Sequence, residues 1–266
     1  MPKGDIPEWR ALRNNAQRYK KGEVPNGVIA LVAGVDVQKD RLYYSIDGIG
    51  VNFDNFTVDY GEIFGQTKDD YVWHELARLL ESQYDGLTIH CMLVDSGYNP
   101  SDGPSDESII YDFCFNNPRA YAAKGHDYRT RAYSSSKINV SIEGKTIDDG
   151  LQLWHLDTDY FKSMLYKRMD WEGDKKGALH FPENVDDEYL RQITAETRLV
   201  KANGKAEWRS IRRDNHWGDC KMMALAAAHI IGAHRFKDGM EPSKRGEGPT
   251  NKQRGGGRTL SKGLRR

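Results

Sequence analysis

Val28-Ile29-Ala30-Leu31-Val32-Ala33-Gly34-Val35-Asp36-Val37 is a near-continuous apolar run interrupted by one carboxylate. A strand buried on both faces of a sheet needs such a run. A turn at Asp40 separates it from Arg41–Gly50, where Leu42, Tyr44 and Ile46 alternate as in a partly exposed strand. Phe53–Phe64, with Phe56, Val58 and Tyr60 in alternation, reads as a third strand. Connections this short predict an antiparallel meander of three.

Outward from the meander, strands and helices alternate. Asp69–Glu81 carries Val72, Leu76, Leu79 and Leu80 in a helical stripe, and Ile89–Val94 is a short buried strand closed by Asp95-Ser96-Gly97. Ser105 is placed to cap a helix with an apolar face of Ile109, Ile110, Phe113 and Cys114. Ala120–Ala123 reads as a brief strand, followed by a polar stretch from Lys124-Gly125 to Gly150, and Leu151–Leu156 as another strand. Asp157 and Asp186 then cap helices bearing Phe161, Met164, Leu165 and Met169, and Tyr189, Leu190 and Ile193. A hairpin, Thr197–Val200 and Glu207–Ile211 around Asn203-Gly204, leads to a last helix at about His216–His234. A meander, a helix, and further strands alternating with helices is the order of an RNase H-like α/β fold: a mixed central sheet flanked by helices.

Composition narrows the function classes. The 266 residues balance 39 Lys and Arg against 39 Asp and Glu, but unevenly. Residues 237–266 hold nine basic side chains and three acids, and 1–28 hold six against three, leaving 29–236 at a net charge of about −9. We expect 1–28 to be a linker with a short helical stretch from Pro7 to Lys20, 29–236 to be the folded domain, and the glycine-rich tail 237–266 to be disordered. There is no internal repeat, no signal-peptide core and no apolar run long enough to span a membrane. Cys91, Cys114 and Cys220 stand far apart without a CxxC pair, which excludes a disulfide scaffold or cysteine zinc ribbon and fits a reducing cytosol. No GxxxxGK[ST] loop is present, so a self-contained P-loop ATPase is excluded. The histidines show no HExxH or HxH spacing, and His229 and His234 are expected to flank the last helix.

Three acids carry the candidate chemistry. Asp36 lies within an apolar strand, where an unpaired charge costs several kcal/mol; the structural alternative is a strand-end acid capping the Gln38–Asp40 turn. Asp95 ends its apolar run before a Ser-Gly turn, at a strand end where functional side chains collect; the alternative is an Asx-turn. Asp219, in Asn215-His216-Trp217-Gly218-Asp219-Cys220, shares a helix face with Met222, Met223, Ala226 and Ile230. Its alternative is a helix-capping acid, a role for which Asp214 serves as well. If the first strand, the fourth strand and the last helix adjoin, the three carboxylates converge. Such a cluster repels itself unless divalent cations neutralise it, and oxygen donors suit Mg²⁺ or Mn²⁺. Two such ions can activate a water and stabilise the leaving oxygen in phosphodiester cleavage. Lys124, Arg129, Arg131 and Lys137, among Tyr128 and Tyr133, are placed to track a phosphate backbone; a solvated basic loop is the alternative.

The ordered set of motifs resembles the nuclease domain of lambda-type (GpA family) phage terminase large subunits. It comprises Pro25-Asn26-Gly27-Val28 leading to Gly34–Leu42, then Val94-Asp95-Ser96-Gly97-Tyr98, Lys124-Gly125, Phe161-Lys162 through Leu165-Tyr166-Lys167-Arg168, Leu179-His180-Phe181-Pro182, Thr194-Ala195-Glu196 and Asp219-Cys220. The similarity runs over roughly residues 7–235. It implies an endonuclease that cuts concatemeric viral double-stranded DNA during packaging, with the acidic residues at Asp36, Asp95 and Asp219 and two divalent ions. It also implies as partners a terminase small subunit, the ATPase domain of a full-length large subunit and the portal or procapsid, within the host cytoplasm. The family's Glu-Ala-Leu-like segment is replaced here by His216-Trp217-Gly218, which predicts a later helix start. The family's N-terminal ATPase motor is missing from the sequence, as in an isolated C-terminal domain whose Met1 is an added or internal start. Cleavage by in-line attack is expected to leave a 3′-hydroxyl and a 5′-phosphate. The rival readings are a junction resolvase or transposase core, which would prefer branched DNA, and a catalytically idle domain docking on DNA or the procapsid.

Overall fold

The structure is a computed structural model describing residues 8–97, 107–142, 144–201 and 206–242. Its first half contains β1 (Ala16–Gln17), β2 (Ala30–Val37), β3 (Arg41–Ile49), β4 (Asn55–Phe64), α1 (Asp70–Glu81), β5 (Ile89–Asp95), α2 (Glu107–Asn116) and β6 (Ala120–His126). The second contains β7 (Tyr133–Ile142), β8 (Lys145–Asp157), α3 (Thr158–Met169), β9 (Leu179–Pro182), α4 (Asp187–Ile193), β10 (Glu196–Val200), β11 (Ala206–Ser210) and α5 (His216–Ile230). Nine strands form one sheet in the order β1-β9-β4-β3-β2-β5-β6-β8-β7, and β10 and β11 pair separately.

The meander forms as the alternation predicts. β2 pairs antiparallel with β3, and β3 with β4. β2 then pairs parallel with β5, β5 with β6 and β6 with β8, which is the mixed sheet of an RNase H-like fold. Every residue of β2 is buried, because helices cover both faces. Leu31, Ala33, Val35 and Val37 pack in the cluster that includes Val72 and Leu76 of α1 and Ile110 of α2. Val32, with Cys91 and Leu93 of β5, packs in the opposite cluster with α3, α4 and α5.

α5 is buried nearly all round and not along one stripe. Its alanines fit between the sheet and two flanking helices, and Lys221 is drawn in with them. The Lys221 ammonium donates to Asp47 Oδ1 at 2.8 Å, Asn55 Oδ1 at 2.7 Å and Thr57 Oγ1 at 2.7 Å, tying α5 to β3 and β4. The helix starts at His216, so the later start expected from the His216-Trp217-Gly218 departure is corrected; Asn215, not Asp214, occupies the N-cap position. Asp157 caps α3 by accepting from the Tyr160 N–H at 2.8 Å.

Three expectations change. Residues 8–28 are packed onto the sheet edge: Trp9, Leu12, Tyr19 and Val28 are buried, and β1 pairs with β9. Their helical stretch is a 3₁₀ turn over Ala11–Asn15. The polar stretch after Gly125 is largely the β7–β8 hairpin, whose serine-rich face is exposed while Val140 and Leu151 reach the core. His229 stacks on Phe53 at a centroid separation of 4.5 Å and is partly buried, while His234 is exposed. Tyr98, the Ser105 cap, the Asn203-Gly204 turn, residues 1–7 and the tail from 243 lie outside the described residues. Among the described residues no helix is long and apolar enough to cross a membrane.

Candidate active site

Two pleats aim the first two acids. On β2, Val32, Gly34 and Asp36 share the α5 side, and on β5 Cys91, Leu93 and Asp95 do the same. Val35 registers with Val94, so Asp36 and Asp95 stand at the carboxyl ends of adjacent parallel strands, on one face. The third acid arrives through Gly34. A Cβ there would lie 2.0 Å from the Cys220 carbonyl oxygen and 2.8 Å from the Met223 Cβ. Glycine alone lets α5 settle on β2, which carries Asp219, in its first turn, over the strand ends.

The three carboxylates act on one another. Burial pushes Asp95 up to about 6, helped by the charges of Asp36 and Asp219 and opposed by the Gly97 N–H and by Lys124. Burial likewise pushes Asp219 up to about 6; Lys162 opposes this, while Asp36 and Glu196 add to it. Asp95 and Asp219 line one cavity of about 160 Å³ with Ala123, Gly125, Leu156, Thr158, Met222 and Met223.

Other side chains hold the acids in place. Asp36 Oδ2 contacts His216 Nδ1 at 2.8 Å and accepts from Gln38 Nε2 at 2.8 Å, and the imidazole stacks on Tyr43 at 4.4 Å. Burial pulls the His216 pKa down, but the hydrogen bond and charge of Asp36 outweigh it, so the pKa lies above its ordinary value. The Lys162 ammonium sits between Glu196 Oε2 at 2.5 Å and Asp219 Oδ1 at 2.9 Å, and stays above its ordinary pKa despite burial. Asn215 Nδ2 donates to Asp219 Oδ2 at 3.1 Å. Sequence reasoning assigned no role to His216, Gln38, Asn215, Lys162 or Glu196. Only Gln38, Lys162 and Glu196 carried a signal, from their place in three of the family-like segments.

The donor set fits a divalent cation by chemistry. Carboxylate oxygens are what Mg²⁺ and Mn²⁺ take, and a cation would offset the burial and the mutual charge that hold two of the acids near 6. Among the described residues no three Asp, Glu, His or Cys side chains already close around one ion-sized position.

The four basic candidates separate. Lys124, next to Gly125 on β6, is the one whose charge reaches Asp95. Arg129 follows β6, with its N–H on Asp157 Oδ2 at 2.7 Å and its guanidinium on Ser134 Oγ at 3.3 Å. It lines a wider cleft of about 730 Å³ with Tyr128, Tyr160, Lys167 and Trp171. Arg131 is exposed in the same connection, and Lys137 lies out on β7, 4.0 Å from Asp149.

The sheet order and the acids at its strand ends define an RNase H-like α/β domain with a carboxylate site. The chain belongs to the family described as terminase large subunit gpA, endonuclease domain, whose profile matches residues 1–238. It is 28% identical over 239 residues to the terminase large subunit of Escherichia phage lambda, covering 85% of this chain and 36% of that protein. The chain thus spans about a third of the length of that relative. Among solved structures it is similar to the large terminase nuclease of thermophilic phage G20c with bound magnesium, at 13% identity and TM-score 0.47, covering 85% of this chain and 98% of that one. It is also similar to the large terminase nuclease domain of Thermus phage P74-26, at 16% identity and TM-score 0.45, covering 88% and 98%.

Proposed function

We propose that this chain is the metal-dependent endonuclease domain of a viral DNA-packaging terminase, cutting concatemeric double-stranded DNA by two-metal phosphodiester hydrolysis. The observation that carries this reading is the gathering of Asp36, Asp95 and Asp219 at one end of the sheet, each of the latter two under the charge of its partners. Membership of the gpA endonuclease family supports it.

In this reading Asp36, Asp95 and Asp219 would together hold the Mg²⁺ or Mn²⁺ ions. When bound, such a pair of ions activates water toward phosphorus and stabilises the departing oxygen. His216 and Gln38 fix the Asp36 carboxylate, Lys162 and Asn215 fix Asp219, and Lys124, at the end of β6, holds the DNA backbone beside them. Three carboxylates leave much of each ion's coordination to water and phosphate oxygens, so metal binds weakly until DNA arrives. Arg129, Arg131 and Lys137 contact the backbone farther along, and the nine basic side chains of 237–266 add salt-sensitive affinity. The partners would be the terminase small subunit, the ATPase domain of a full-length large subunit and the portal or procapsid, in the host cytoplasm.

Supercoiled plasmid incubated with the chain tests the proposal. Mg²⁺ or Mn²⁺ is expected to give nicked and then linear DNA with 5′-phosphate ends, and EDTA to stop it. Cleavage that survives EDTA contradicts the mechanism. Preference for branched over linear duplex points to a resolvase, and binding without cleavage to a docking domain.

A further inference from the structure

The end of β6 faces two ways. Ala123 and Gly125 turn toward the Asp95–Asp219 cavity, and the alternation of the strand sets Lys124 and His126 on the opposite face. Lys124 registers with His155 of β8, and His155 with Ser134 of β7, so one row of polar side chains crosses three strands. His126 Nε2 lies 3.0 Å from His155 Nδ1, and His155 Nε2 lies 2.8 Å from Ser136 Oγ. Arg129 closes the row through its contact with Ser134. The carboxylate chemistry uses neither histidine nor either serine.

The charges around the rings choose the ligand. Two imidazole nitrogens this close suit a transition metal, but both rings sit in the positive field of Lys124 and Arg129. The acid acting on His126 is Asp127, which is exposed. Among the described residues no third His, Cys, Asp or Glu joins the pair as a metal ligand. His155 has both ring nitrogens engaged and links His126 to Ser136; the cations, the remaining His126 nitrogen and the serine hydroxyls together match an anion with several acceptor oxygens.

We propose that Lys124, His126, Arg129 and His155, with Ser134 and Ser136, form a phosphate subsite for the DNA backbone, beside the cavity and across the crest of β6 from it. A strand passing over that crest would put one phosphate at the carboxylates and a neighbouring one on the histidine row. The nuclease reading supplies the identity of the ligand; the site itself rests on the geometry.

The test is duplex binding in EDTA, which removes the catalytic ions from the comparison. Fluorescence anisotropy with a short linear duplex is measured for the whole chain, for Arg129→Gln, for the double variant His126→Gln/His155→Gln, and for Arg10→Gln at the far edge of the sheet. Melting temperatures confirm that each is folded. Arg129→Gln and the double variant are expected to weaken binding about tenfold, Arg129→Gln also lowering the slope of log affinity against log salt by about one, and the Arg10 variant to bind as the parent. The imidazole ¹⁵N resonances of His126 and His155 are expected to move on adding duplex, and at far lower concentration than with inorganic phosphate. Parental binding by both variants overturns the subsite while leaving the nuclease reading intact. Resonances that answer to Zn²⁺ but not to duplex make it a metal site, and equal response to inorganic phosphate makes it a site for free phosphate; either overturns the proposal. A parent chain that neither binds nor cuts duplex overturns both readings.

Discussion

Gly34 of β2 rests against the backbone of Cys220 in α5, so closely that a Cβ would stand 2.0 Å from the carbonyl oxygen. This contact sets the height of Asp219 over Asp36. Gly34→Ala must displace a backbone atom that has no free end to swing away, and should cost about 3 kcal/mol, the upper end for overpacking. The expected result is a lowered melting temperature together with a large loss of metal-dependent cleavage. A variant with the parental melting temperature and rate would mean that α5 is not seated by this contact.

Asp95 and Asp219 make metal-free stability depend on pH. Each is raised from 3.8 to about 6, so the folded chain holds these protons more tightly than the unfolded one. Their stabilising contribution is full below the ordinary carboxylate pKa and is lost as the pH rises through about 6. In EDTA, Asp95→Asn should therefore raise the melting temperature near pH 7 by a few degrees and change it little near pH 4. Added Mg²⁺ should stabilise the parent at neutral pH more than the variant. Equal melting curves for both proteins at both pH values would show that burial and the neighbouring charges do not raise the Asp95 pKa.

Lys162 keeps Glu196 and Asp219 from facing each other unscreened. Removing one member of a buried ion cluster costs about 3–5 kcal/mol, because the remaining charges stay buried. Lys162→Met should be destabilised on that scale, and Glu196→Gln placed on top of it should recover part of the loss. If the double variant is no more stable than the single one in thermal unfolding, the two acids are not in opposition.

The strand-end acids were legible in the sequence because burying a carboxylate in an apolar run is costly enough to be informative. Asp36 and Asp95 each stand at the end of such a run, and strand periodicity then gives their common face. The meander and α1 were legible for the same reason, through one period each. What surrounds the acids was not. His216 lies 180 residues from Asp36, and Lys162 lies 34 from Glu196; no local pattern ties such partners together. β7 and the first half of β8 escaped because the outer face of the hairpin is serine and lysine, although Ile138, Val140 and Ile142 alternate along β7; Leu151–Leu156, its apolar part, was legible as a strand. β1 and β9 are two and four residues long, too short to show a period at all. α5 carried a misleading stripe, since alanines on its remaining faces are buried by small size and not by amphipathic spacing.

The most direct measurement compares plasmid nicking by the parent, Asp36→Asn and Asp95→Asn at equal concentration in Mn²⁺, with circular dichroism confirming that all three are folded. Both acids lie where a charge is costly without a cation, so each amide should abolish nicking, by at least about a hundredfold, while leaving the fold intact. Either variant, folded and cutting at the parental rate, would contradict the assignment of the carboxylate cluster as the active site.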